Sequence, residues 1–125
     1  MKRVKIDMEF IFRASPAIIY KFLTQNECLV RWFCDGADVT NDMYVFDWQG
    51  SEEEAELVDD LEEERVRYIF VDNDPGEYME FRLYKSDVTN ETILEVTDFC
   101  DKGEENEQKA LWDTQIANLK IETGG

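Results

Sequence analysis

The sequence contains no histidine. That removes the commonest general base, the commonest metal ligand and the usual partner of a nucleophilic serine or cysteine. What remains for chemistry is three cysteines and thirty carboxylates. Cys34 is the best-placed thiol, beside a loop, but no basic residue is evidently positioned to lower its pKa, so packing or an idle thiol is expected. Among the carboxylates one stands apart. If Leu94 and Val96 face inward along the last strand, so does Asp98, an acid on an apolar face where desolvation would raise its pKa. Two roles fit it: a polar anchor for a ligand near a cavity mouth, or a strand-end residue that points to water or caps a loop. The segment Asp72-Asn73-Asp74-Pro75-Gly76-Glu77 has the look of a calcium loop, but its glycine falls one place early and a proline intrudes. Leu83 also occupies the twelfth position, where such a loop needs glutamate, so the segment reads as a hairpin turn. The cysteines Cys28, Cys34 and Cys100 are odd in number and lack C-x-x-C spacing, which suggests neither a disulfide framework nor a zinc knuckle. No catalytic set, metal or cofactor is expected.

The elements that must position these residues are legible from periodicity. From Val4 to Phe12 apolar residues fall on even positions, the period of a half-buried strand. Ser15-Pro16 starts a short helix running to about Gln25, with Ile18 or Ile19, Phe22 and Leu23 inward. Asn26 can cap a second helix from Glu27 to about Phe33, which Cys34-Asp35-Gly36 ends. Alternation then marks strands around Tyr44 to Trp48, Glu54 to Val58, Arg65 to Val71 and Met79 to Tyr84, and a last one from Thr92 to Phe99. The acidic stretch Asp59 to Glu64 is expected to be a connection. From about Glu105 to Lys120 the period changes: Trp112, Ile116 and Leu119 sit at i, i+4 and i+7, the stripe of an amphipathic helix that Gly124-Gly125 would end. An antiparallel sheet with one apolar face needs a cover, and this helix is the only element long enough to supply it.

A chain of 125 residues with 43% hydrophobic and 13% aromatic content suits one domain with one core, residues 1–125. The net charge of −17 repels phosphate backbones and anionic headgroups, so neither nucleic acid nor a membrane surface is an expected partner. The acids cluster at Glu52 to Glu54, Asp59 to Glu64 and Glu104 to Glu107, read as solvated turns and ends, with a basic protein partner as the alternative. Charges at Lys5, Asp7 and Glu9 interrupt any leader-like apolar run, and no stretch approaches a membrane span, so a cytoplasmic location is expected.

With Ala14-Ser15-Pro16 opening the first helix, Leu29-Val30-Arg31-Trp32-Phe33 in the second, and Ala110-Leu111-Trp112 followed by Ile116 and Leu119 in the last, the chain resembles the START-like superfamily. Within it, the resemblance is to the branch of the C-terminal domain of the activator of the ninety-kilodalton heat-shock ATPase. That activator's separate N-terminal domain has no counterpart in these residues, which puts ATPase stimulation in doubt. The resemblance implies an α+β helix-grip fold: a curved antiparallel sheet wrapped around a long C-terminal helix, with two short helices after the first strand. It also implies a cavity between sheet and helix. Its expected lining is Phe10, Phe46, Trp48, Tyr68, Phe70, Tyr78, Phe81, Asp98, Trp112 and Ile116. These aromatics could equally fill the core, because large rings dominate burial in small domains. The function expected is therefore non-catalytic binding of a small hydrophobic or amphipathic ligand. The alternatives are an acidic protein-interaction or chaperone-associated module, and, last, a cyclase or hydrolase. Oligomeric state is not legible.

Overall fold

Alternation in the sequence becomes a single seven-stranded sheet in a computed structural model that describes residues 2–125. The strands are β1 (Arg3–Phe12), β2 (Gly36–Thr40), β3 (Met43–Trp48), β4 (Ser51–Leu61), β5 (Arg65–Phe70), β6 (Met79–Lys85) and β7 (Thr92–Asp101). Their spatial order is β1-β7-β6-β5-β4-β3-β2, with every neighbouring pair antiparallel. Thus β2 to β7 form a meander, and β1 returns to its far edge beside β7. The helices α1 (Pro16–Thr24) and α2 (Asn26–Leu29) bridge the two edges, and α3 (Glu105–Thr123) closes the chain. This is the α+β helix-grip architecture, with the curved sheet holding the terminal helix.

Register decides what each face carries. Pairings such as Phe10 with Leu94, Phe81 with Val96, Val66 with Phe81 and Tyr44 with Ala55 bring the apolar sets of all the central strands to the concave side. The convex side receives the intervening charges. There Glu80 is buried between Arg67 and Arg82, and Arg82 also reaches Glu95 at 3.3 Å. Burying a carboxylate is tolerable only when its lone pairs are filled in this way.

Three departures from the expected elements have local causes. Gly36–Thr40 forms the edge strand β2 against β3, although its glycine and Asp38 hide it from any alternation test. The first half of the acidic stretch read as a connection is strand: β4 runs to Leu61, with a register shift between Leu57 and Asp59 that lets Asp59 pair across from Arg67, and only Glu62 to Glu64 make the turn. A bulge of this kind breaks the period of two, which is why the alternation was lost. The tight turn falls at Glu63, in the left-handed region at φ 64°. Finally, α2 spans only Asn26–Leu29, and the chain continues to Phe33 through turns. Its N-cap position is Gln25, and Asn26 instead accepts a hydrogen bond from the Glu27 amide at 3.0 Å. The helix α1 begins as expected, with the Ser15 hydroxyl accepting from the Ile18 amide at 3.3 Å and Ile19 and Leu23 buried.

Between sheet and helix the core is a lattice of rings. Phe46 meets Tyr44, Tyr68, Phe70, Phe33 and Trp48 with centroids 5.2 to 6.0 Å apart, and Trp112 meets Phe33 and Phe81 at 6.3 and 5.7 Å. Such tilted and edge-on pairs add to the burial energy of the rings. Their polar tips are all used: Tyr68 donates to the Leu23 carbonyl at 2.6 Å, Tyr44 to that of Thr24 at 2.7 Å, and Trp32 to that of Phe22 at 2.7 Å. The tyrosine bonds fasten α1 to the sheet, and the Trp32 bond fastens the segment after α2 to α1.

Candidate functional site

At one end of this lattice the packing stays open. A cleft of about 290 Å³ lies between the first half of α3 and the ends of β3 to β7. Its apolar walls are Phe33, Trp48, Phe70, Met79, Leu111 and Trp112, and its polar ones Glu53, Asp72, Asn73, Asp98, Gln108 and Gln115. On α3, Gln108, Leu111, Trp112 and Gln115 stand at i, i+3, i+4 and i+7, one face of the helix. From the sheet, Trp48 ends β3, Phe70 ends β5, Met79 begins β6 and Asp98 lies near the end of β7.

Asp98 is the hinge of this geometry. It faces the concave side, opposite Ile6 on β1, and its Oδ2 accepts hydrogen bonds from the Trp112 indole at 2.9 Å and the Gln108 amide at 3.0 Å. Its Oδ1 takes the Phe99 backbone amide at 2.8 Å. The strand does not end at Asp98 but continues to Asp101. The carboxylate therefore ties α3 to β7, and charge-assisted bonds of this kind are the stronger class. Opposite it, the Phe33 carbonyl accepts from the Trp48 indole at 2.7 Å and the Gln115 amide at 3.3 Å. The segment after α2 thus holds the second wall.

The ten residues expected to line a cavity divide into distinct groups. Trp48, Phe70, Asp98 and Trp112 line the cleft. Phe46, Tyr68, Phe81 and Ile116 are at most 2% exposed and fill the core instead. Phe10 is half-buried and packs against the core, across from Leu94. Tyr78 lies on the convex face, because it precedes inward-facing Met79; its ring meets Phe99 at 5.3 Å and sits under the Arg67 guanidinium at 3.9 Å. It is no polar contact for anything held under α3. Of the cleft residues not foreseen, the α3 set was readable from its spacing. Phe33 was not, because it lies in a turn, and Glu53 and Asp72 required the β3–β4 and β5–β6 geometry.

The remaining candidates for chemistry are quiet. Burial, helped by Asp35 and Asp47, pushes the Cys34 thiol up to about 11, and burial also raises Cys28 and Cys100. None of the three has the electropositive setting that activates a thiolate. In the Asp72 to Glu77 turn, the Arg3 guanidinium lies 2.9 Å from Glu77 and 4.0 Å from Asp74, and 3.0 Å from Asp101. An internal cation answers those carboxylates. Among the described residues no group of three or more Cys, Asp or Glu is arranged to hold a metal ion, and no helix is long and apolar enough to cross a membrane.

Sheet order, terminal helix and cleft define a helix-grip protein, and the sequence comparison agrees: the model of the START-like superfamily domain matches residues 1–125. The chain belongs to that superfamily. Its fold is similar to the solution structure of the Aha1 dimer from Colwellia psychrerythraea, at 19% identity and TM-score 0.82 over 96% of each chain. It is also similar to BfR322 from Bacteroides fragilis, at 27% identity and TM-score 0.70 over 97% of this chain and 91% of that one. DynU16, a protein of the dynemicin biosynthetic locus, shares the fold at 20% identity and TM-score 0.77, covering 96% of this chain and 48% of its own. No curated protein matches the sequence.

Proposed function

We propose that the protein is a non-catalytic START-like binding domain whose cleft, beside α3 at the Trp112 end, takes up one small hydrophobic or amphipathic molecule. The observation that carries this reading is the cleft itself: six apolar side chains, four of them aromatic, converge with a few fixed polar groups. That combination typifies small-molecule sites, and about 290 Å³ sits at the lower limit of their usual range of roughly 300–1,000 Å³. The ligand occupies the open end rather than a tunnel through the fold, because Phe46, Tyr68 and Phe81 fill the middle. The absence of histidine and the raised thiols favour binding over catalysis. Three free cysteines suit a reducing, cytoplasmic setting.

Native mass spectrometry of the protein incubated with an organic extract of its source cells tests this. The expected result is a one-to-one small-molecule adduct that is lost in Leu111→Arg, a change at an exposed cleft position. No adduct, or one retained in full by the variant, would count against the site.

A second reading, an acidic interaction module, is favoured by the exposed carboxylates Glu52, Glu53, Glu54 and Glu56 along β4. The Colwellia relative is a dimer, so self-association belongs to the same reading. Sedimentation across a concentration range tests it: a concentration-dependent dimer, strengthened by salt that screens the repulsion between two chains of charge −17, supports self-association, and a monomer throughout removes it.

A further inference from the structure

The cleft's hydrogen-bonding inventory is lopsided. Both indole donors are engaged by the protein, Trp48 by the Phe33 carbonyl and Trp112 by Asp98, and the Gln115 and Gln108 amides spend one N–H each on the same two acceptors and keep one. What remains beyond these is acceptor capacity. Glu53, Asp72 and Asp98 line the cleft, and among the described residues none of them lies within 4.0 Å of a lysine or arginine nitrogen. Elsewhere the more deeply placed acids are paired: Glu77 with Arg3, and Glu80 with Arg67 and Arg82. Among the described residues no basic side chain lines the cleft. Asn73 spends its carbonyl oxygen on the Phe70 amide, which leaves its NH₂, with the second N–H of Gln108 and of Gln115, as the free side-chain donors, all of them neutral.

The walls point the same way. With its N–H engaged, half-buried Trp48 presents ring surface together with half-buried Phe70, and the buried rings of Trp112 and Phe33 back them with their edges at the cleft floor. The face of an aromatic ring is electronegative and attracts a cation, most strongly for tryptophan. An anionic head would meet like charges and only neutral amide donors, with no cation to answer it. An ammonium head would meet ring faces and free carboxylate oxygens, within a chain whose net charge of −17 raises the local concentration of cations.

Resting on the small-molecule reading above, we infer that the cleft selects organic cations: its occupant carries an ammonium group on a compact aromatic or short aliphatic body. The aromatic wall holds the body, and Glu53 and Asp72 at the exposed rim face the charge, while Asp98, whose oxygens already accept three hydrogen bonds, adds only its field from below.

Three probes of nearly equal size separate the possibilities: 2-phenylethylammonium, 2-phenylethanol and phenylacetate, each titrated while the indole N–H resonances of Trp48 and Trp112 are followed by NMR. The amine is expected to shift both indoles and to bind about tenfold more tightly than the alcohol, with phenylacetate weaker still. In the double variant Glu53→Gln, Asp72→Asn the amine's advantage should shrink to about twofold, whereas Glu62→Gln, an exposed charge in the β4–β5 turn, should leave it intact. Alcohol binding as tight as the amine at the same indoles, or a preference for phenylacetate, would overturn cation selection and leave the binding cleft standing. Amine shifts confined to the β4 amides would overturn it in favour of a diffuse acidic surface. Silence of both indoles toward all three probes would remove the cleft as a site for molecules of this size.

Discussion

The two halves of α3 rest on the same sheet, yet one is sealed and the other is open. In the C-terminal half, Ile116 and Leu119 are 1% and 0% exposed and share a core cluster with Phe12, Ile19 and Leu23. The surroundings close over them: the Lys120 ammonium lies 5.5 Å from the Phe12 ring, Arg31 pairs with Glu122 at 3.5 Å, and the Arg13 amide donates to the Gly125 carbonyl at 2.5 Å. In the N-terminal half, Trp112 is the only fully buried apolar residue, and Leu111 on the same turn is 61% exposed. The difference comes from what stands opposite. Beside one half lie α1 and the end of β1; beside the other stand polar groups and strand ends, with no helix laid over them. A helix-grip fold thus need not be hollow to offer a site. A plug of rings in the middle, with Phe46 at its centre, confines the site to the end that lacks a cover.

Substitutions on the two halves should therefore separate sharply. Ile116→Ala or Leu119→Ala should lower stability by about 2–5 kcal/mol in urea unfolding, the cost of removing buried methyl groups and leaving a cavity. Asp98→Ala comes next, because it strands the Trp112 indole and the Gln108 amide without their acceptor. A loss of about 1.5–3 kcal/mol is expected, with the Trp112 indole resonance displaced toward its solvent-exposed position. A loss at Asp98 larger than that at Ile116 would reverse the order expected of a polar tether and a sealed packing contact.

Alkaline pH acts on the sealed half and on the segment after α2. Burial raises the phenols of Tyr68, Tyr44 and Tyr20, Tyr20 also through its bond to Asp60, and it brings the Cys34 thiol to about 11. Each group holds its proton more tightly folded than unfolded, so the folded chain binds more protons once pH exceeds the ordinary thiol and phenol values. Stability is accordingly complete below about pH 9 and declines as pH rises toward the folded values. The urea midpoint should be lower at pH 10.5 than at pH 7, and Cys34→Ala should flatten part of that decline. An unchanged midpoint would mean these groups are exposed in solution. The smallest effect belongs to the open half: Leu111→Ala should change stability by no more than about 0.5 kcal/mol while weakening ligand binding.

How much of this was legible in the sequence depended on whether a residue's role was set by its own strand or by its neighbours. Strand alternation and the Trp112, Ile116, Leu119 stripe placed most inward faces correctly, and the resemblance carried by Arg31-Trp32-Phe33 led to the right fold. Which inward residues touch open space was not legible, because Phe46 and Trp48 share a face and a strand yet one is in the core and the other at the cleft. For Asp98 the alternation leaves two readings, an inward acid or a strand end facing water, and its bond to Trp112 spans two elements that no local pattern connects. Tyr78 was misplaced for a simpler reason: one position before Met79, it falls on the opposite face. The strand β2 and the bulge in β4 were hidden because a short edge and an irregular register leave no clean period.

The central claim is that the open half of α3 is where a small molecule binds, and intermolecular nuclear Overhauser effects test it most directly. In the complex with 2-phenylethylammonium, contacts are expected from the probe's aromatic protons to the Leu111 methyl groups and to the Trp48 and Trp112 rings, with none to Ile116 or Leu119. Contacts to Ile116, Leu119 or Phe12 would place the occupant in the half described as sealed and contradict the account.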